Sequence, residues 1–172
     1  MFQHTLFSVV VGLSLAFFVS PHQVDTADSL IRLFNDPSEG VVSADIELTA
    51  DLDFTASNLA LPLGAFSNGT CVAFSGVLHG NGHSIKGLVM DNTNTVGYNN
   101  SGLFCSLVDA AVENLVIDSS CSFIGNTAGA LSVSVNGSLT VISTTNKATV
   151  SGFNTAGGFV GEVPTHEQKY TL

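Results

Sequence analysis

The sequence predicts an all-β chain wound as a right-handed parallel β-helix, a solenoid with coils of about 27 residues and a short N-terminal capping helix. Three observations predict it. Short phrases recur near that period from residue 74 onward, one segment alternates strictly between apolar and polar residues, and the composition is rich in Gly, Ser, Thr and Asn with only 10% charged residues.

The repeat has three landmarks. The first is a small residue, a Gly and an apolar pair: Ser75-Gly76-Val77-Leu78, Ser101-Gly102-Leu103-Phe104, Ala128-Gly129-Ala130-Leu131 and Ala156-Gly157-Gly158-Phe159, whose glycines step by 26, 27 and 28. The second sets Ile85-Lys86-Gly87-Leu88-Val89-Met90 against Val112-Glu113-Asn114-Leu115-Val116-Ile117, 27 residues on. The third sets Phe123-Ile124-Gly125 against Val150-Ser151-Gly152, again 27 apart. Within the second landmark, apolar positions two apart fit a strand and positions three apart imply a bend. Gly87 and Asn114 fall at that bend, and both residue types tolerate the backbone angles of a corner. Strand, corner and strand, recurring in this way, describe coils that bury Leu, Ile, Val and Phe by stacking on one another. A leucine-rich repeat lacks support because its closely spaced leucines followed by Asn are missing, and an immunoglobulin-like sandwich would not require such register.

Upstream, Asp28 is placed to cap a helix that runs to about Phe34, with Leu30, Ile31, Leu33 and Phe34 apolar and Asn35-Asp36-Pro37 as its stop. This helix could cover the N-terminal edge of the solenoid. From Asp45 to Phe54 the apolar face is Ile46, Leu48, Ala50, Leu52 and Phe54 and the polar face Asp45, Glu47, Thr49, Asp51 and Asp53, which reads as a strand pair or one bent strand. Residues 21–163 form the repeat domain. The apolar, uncharged run Leu6–Val19 marks residues 1–20 as a secretory signal, with an uncleaved anchor or a buried strand or helix as alternatives. Residues 164–172 read as a tail cut off within a longer array, and no segment after the leader is apolar enough to span a membrane.

The net charge is −10, and Arg32, Lys86, Lys147 and Lys169 are the only Lys and Arg residues. With no basic stripe to neutralise phosphates, nucleic acid is not expected as a partner. Cys71, Cys105 and Cys121 are odd in number, so one stays free or pairs between chains. Cys105 with Cys121 is the pair to test, against the alternative that these are small buried apolar residues.

Several phrases resemble the GLUG-motif and related β-helix repeats of surface proteins, many of them adhesin-like. Leu48-Thr49-Ala50-Asp51-Leu52-Asp53 is similar to that family's opening strand, and the run from Phe74 to Leu88, with Gly80-Asn81-Gly82-His83 at its centre, to its signature coil. Ser101-Gly102-Leu103-Phe104 and Val112-Glu113-Asn114-Leu115 continue the pattern, with Cys105 standing where a Gly is usual. The resemblance covers about residues 28 to 163 and implies secretion or surface display and an adhesive role.

Candidate chemistry is sparse. His79 and His83 with Lys86 superficially suggest a polysaccharide hydrolase, but no carboxylates lie in the same coil to act as acid and base. The acidic face of Asp45, Glu47, Asp51 and Asp53 offers oxygen ligands of the kind calcium selects, yet a solvated strand face explains it as well. No catalytic residue, cofactor or metal ligand is therefore assigned. Asn68, Asn99 and Asn136 begin Asn-x-Ser/Thr sequons and are candidate glycosylation sites if a eukaryote secretes the chain. The sequence thus predicts a secreted or cell-surface interaction module that binds glycan or protein through stacked Thr, Ser and Asn. The alternatives are a polysaccharide lyase or hydrolase with its active site outside this segment, and a structural stalk.

Overall fold

The computed structural model describes residues 20–35, 41–57 and 59–163, together with the backbone of 170–171. The predicted leader, apart from Ser20, lies outside the described residues, as do Asp36-Pro37 and most of the tail.

Strand β1 (His22–Val24) leads into helix α1 (Ala27–Leu33). The cap is Thr26, not Asp28. Thr26 has an extended backbone, its hydroxyl accepts the Ser29 amide at 3.2 Å, and the Ser29 hydroxyl accepts the Thr26 amide at 3.2 Å, a reciprocal pair that satisfies two otherwise unpaired N–H groups. Asp28 instead lies in the first turn, where its charge faces the positive end of the helix dipole. The helix and its C-cap bury Ala27, Leu30 and Phe34. The Phe34 ring lies 6.1 Å from that of Phe74 and 5.5 Å from that of Phe104, and those two stack at 5.3 Å.

From there the chain winds through β2 (Val41–Val42), β3 (Ile46–Leu48), β4 (Leu52–Asp53), β5 (Ala73–Phe74), β6 (Val77–His79), β7 (Ser84–Lys86), β8 (Val89–Asp91) and β9 (Phe104–Glu113). It continues through β10 (Val116–Ile117), β11 (Ser122–Gly129), β12 (Ser132–Ile142), β13 (Thr145–Asn146), β14 (Thr149–Gly157), β15 (Val160–Glu162) and β16 (Tyr170–Thr171). These strands pair in parallel and form three sheets. The first runs β1-β3-β6-β9-β12-β15 with β2, β5 and β16 attached, the second β4-β7-β10-β13, and the third β8-β11-β14. One strand per coil in the second sheet gives four turns of a β-solenoid. Parallel pairing throughout these sheets also excludes an immunoglobulin-like sandwich, whose strands are antiparallel. The alternating segment 45–54 is two strands in different sheets, turned at a corner between Leu48 and Leu52.

The coils are less uniform than the repeat suggested. Gly129 pairs with Gly157 and Phe123 with Val150, 28 and 27 residues on, and Ser101 bridges Ala128, so the first and third landmarks hold in the later coils. The earliest member of the first landmark and the whole of the second do not. Val77 pairs with Ala111, Leu78 with Val112 and Ile85 with Ile117, so steps of 32 to 34 replace the expected 26 and 27. The apparent match of Ile85 to Val112 is therefore a coincidence of pattern. Enlarging a loop at a corner adds little closure entropy, whereas the stacked core positions cannot slip without exposing their apolar face. Coil length drifts while register is kept.

Inward residues stack as Ile46, Leu78, Val112 and Val141 in one column and Leu52, Ile85 and Ile117 in another. All are at most 6% exposed. Corners recur as well. Asn81, Asn114 and Ser143 have φ of 52°, 51° and 48° at the turn from the first to the second sheet, one in each of three coils. Gly87, with φ 67°, marks the turn out of β7, where a Cβ would collide with the Thr55 side chain.

Candidate functional site

Because the coils stack in register, outward side chains also form columns, spaced by the ~4.8 Å between parallel strands. On the first sheet one column reads Gln23, Glu47, His79, Glu113 and Ile142. On the second, Ser84, Val116 and Thr145 line up. On the third, the columns are Val89, Ser122 and Thr149, then Asp91, Ile124 and Ser151.

Three ion pairs lie near the turn from the first sheet to the second. His79 Nδ1 lies 3.4 Å from Glu113 Oε2, His83 Nδ1 3.5 Å from Asp51 Oδ1, and Lys86 Nζ 2.6 Å from Asp51 Oδ2. The Lys86 ammonium and the Ser84 amide hold the Asp51 carboxyl far below the usual carboxylate range, and Asp51 in turn raises Lys86. Asp53 pairs in register with Lys86, which also feels Asp118, and Asp118 feels Lys147. The result is a row of alternating sign over four coils.

All four members of the predicted acidic face are occupied by protein donors. Asp45 accepts the Val77 amide at 2.8 Å, Glu47 accepts Asn81 Nδ2 at 3.1 Å, Asp51 accepts the Ser84 amide at 2.8 Å, and Asp53 accepts the Thr55 amide at 2.9 Å. Three of these donors belong to the next coil, so the carboxylates tie coil to coil. Among the described residues no group of three or more His, Cys, Asp or Glu side chains converges as a metal site. Gly80-Asn81-Gly82-His83 forms a tight turn closed by the His83 amide on the Gly80 carbonyl at 2.8 Å. It packs on the next coil so closely that a Cβ at Gly80 would strike the Asn114 carbonyl oxygen at 2.5 Å.

Reading along one coil missed the neighbours of His79. Stacking sets Glu47 on one side of it and Glu113 on the other, from the coils before and after. Two ladder steps separate the backbones of those two residues by roughly 9–10 Å. A cavity of about 560 Å³ lies elsewhere, between α1 and residues 56–66, lined by Ile31, Phe34, Leu61, Leu63 and Phe66 among others and by none of the charged corner residues.

The disulfide differs from the pair proposed for testing. Cys71 bonds to Cys105, with Cα atoms 6.0 Å apart, and Cys121 is free and buried. A small hairpin, bridged at Ala65 and Cys71, is tied to the start of β9 by the Leu63–Phe104 bridge, which delivers Cys71 to Cys105. Cys121 instead begins the third-sheet side of its coil, where its thiol donates to the Ile85 carbonyl at 3.4 Å and burial pushes its pKa up.

The three sequon asparagines are exposed. Asn68 sits at the hairpin tip and its side chain accepts the Thr70 amide at 2.9 Å. Asn99 precedes Asn100, which accepts the Thr127 amide at 3.1 Å, and the fully buried Ser101, which donates to the Ile124 carbonyl at 2.6 Å. Asn136 borders the irregularity in β12 where Asp109 accepts the Ser138 amide at 2.8 Å.

The chain is similar to Halomucin of Haloquadratum walsbyi (strain DSM 16790 / HBSQ001). Identity is 33% over 150 residues, which take in 83% of this chain and 2% of Halomucin, so the chain spans a small fraction of the relative's length. No protein-family model matches the chain, so the likeness to GLUG repeats stays a resemblance. No solved structure matches it either.

Proposed function

We propose that this chain is a non-catalytic interaction module of a secreted or cell-surface protein, presenting the outward columns of its solenoid to a glycan or a surface protein. The observation that carries the proposal is the in-register stacking itself, which turns side chains scattered over 30-odd residues of sequence into continuous rows on three sheets. Two further facts support the compartment: the Cys71–Cys105 disulfide, a bond that persists in oxidising surroundings, and the similarity to Halomucin, whose name marks it as mucin-like.

A carbohydrate-cleaving enzyme is the competing reading, and the flanking of His79 by Glu47 and Glu113 favours it. Against it, Glu113 is engaged by His79 and Glu47 by Asn81. Incubating the secreted chain with a panel of glycans and surface-protein extracts, and measuring both retention and soluble products, separates the two. Retention without products is expected. Released oligosaccharides, abolished by Glu113→Gln, would replace the module with a hydrolase or lyase.

A further inference from the structure

The two sides of the solenoid differ in what their side chains leave unused. At the charged corner the acidic groups are bound within the protein, as are Asn81 and Lys86. On the third sheet the outward Ser122, Asn126, Thr149 and Ser151 make no side-chain hydrogen bond among the described residues. Their hydroxyls and amide each keep donor and acceptor capacity. Asp91 is the one charged residue in these rows, and its carboxylate is already held by the Thr93 amide and hydroxyl at 3.2 and 2.8 Å.

The same face carries exposed apolar groups. Phe153 on β14 is 77% exposed and Val89 on β8 is 67% exposed, the two lying on the outer strands of the three. Phe153 stands where the β11–β14 register shifts, between Gly125 opposite Gly152 and Thr127 opposite Thr155. Gly152 permits the bend, since a Cβ there would collide with the Thr155 carbonyl oxygen. A bulge of this kind re-aims a side chain. Phe34, Phe74 and Phe104 fill the core, whereas this ring is held out in water.

We infer that the β8–β11–β14 face is a binding site for an uncharged glycan, with Phe153 stacking against the apolar face of one sugar ring and Ser122, Asn126, Thr149 and Ser151 hydrogen-bonding ring hydroxyls. This rests on the interaction-module proposal above. Charge decides the glycan class. The net charge of −10 and the lack of Lys, Arg or His in these rows oppose uronates and sulfated chains, while an uncharged polyol meets no such penalty. An aromatic platform flanked by hydroxyls and amides, at strand spacing, supplies both the apolar contact and the directional contacts that a sugar needs.

The test uses the full secreted chain on immobilised neutral, uronate and sulfated polysaccharides, with retention measured for wild type, Phe153→Ala, Phe153→Trp, Thr149→Ala/Ser151→Ala and, at the charged corner, Lys86→Ala. The expected result is retention on neutral polysaccharide alone, lowered roughly tenfold or more by Phe153→Ala, kept by Phe153→Trp, lowered by the double variant and unaffected by Lys86→Ala. Unchanged circular dichroism of Phe153→Ala guards against a folding artefact. Equal retention of Phe153→Ala and wild type, or retention on charged polysaccharide alone, overturns the site. If Lys86→Ala rather than Phe153→Ala abolishes retention, this inference falls while the interaction module stands. If neither glycan nor surface protein is retained, both fall.

Discussion

Asn114 illustrates how much of the coil is decided by single backbone angles. With φ at 51° it occupies the left-handed region, as do Asn81 and Ser143 at the same corner of neighbouring coils. Asn114→Gly is expected to leave stability nearly unchanged, and Asn114→Val to cost about 1–2 kcal/mol by denaturant unfolding, because a β-branched residue is strained there. The sequence showed Asn114 and Gly87 as corner residues. It placed them at one corner, whereas Asn114 turns from the first sheet and Gly87 leaves the second, a difference that only pairing reveals. The carboxylates Asp51, Asp53, Asp109 and Asp118 all titrate below their ordinary value, held by amides and hydroxyls and, for Asp51, first by Lys86. Their stabilising contribution is present above an unfolded-state pKa of about 4 and is lost as pH falls through the lower folded values. The thermal midpoint should be level from pH 7 to about 4 and drop below that; a midpoint unchanged at pH 2 would show that these carboxylates do not stabilise the fold.

At the scale of elements, α1 brings Phe34 onto Phe74 and Phe104, and the disulfide ties its hairpin to β9. Removing the Thr26 hydroxyl with Thr26→Ala should cost about 1 kcal/mol, whereas Asp28→Ala should cost less, since Asp28 supplies only a dipole contact. Phe104, which meets both Phe34 and Phe74, should cost about 3–5 kcal/mol when cut to Ala, while the exposed Phe153 should change stability by under about 0.5 kcal/mol. Helix α1 was legible because its apolar residues recur at helical spacing. Its cap was not, because Thr26 and Asp28 are both good cap residues and only the reciprocal Ser29 contact decides between them. The cysteine pairing was illegible for a related reason: it depends on a hairpin that no periodic pattern announces. Native protein treated with a thiol reagent should show no labelling at Cys121, one labelled thiol after denaturation without reductant, and a Cys71–Cys105 linked peptide in a non-reducing digest.

At the scale of the whole molecule, the parallel solenoid was readable from recurrence, because a core that every coil must share imprints its pattern on each of them. Coil length was not, because loops at the corners grow without disturbing that core, as the steps of 32 to 34 in the early coils show. The candidate surface was hidden for the same reason. His79 gains its carboxylate neighbours, and the Ser, Thr and Phe face its continuity, only from residues a full coil apart. Register is therefore the claim on which the proposed function depends, and pairwise cysteine crosslinking tests it most directly. In a chain carrying Cys121→Ser, the pair Ser84→Cys/Val116→Cys should oxidise to an additional disulfide, since those positions face each other on adjacent strands, and Val89→Cys/Val116→Cys, 27 residues apart, should not. The reverse result, a crosslink at the 27-residue spacing and none between 84 and 116, would contradict the observed register and with it the columns that form the proposed binding face.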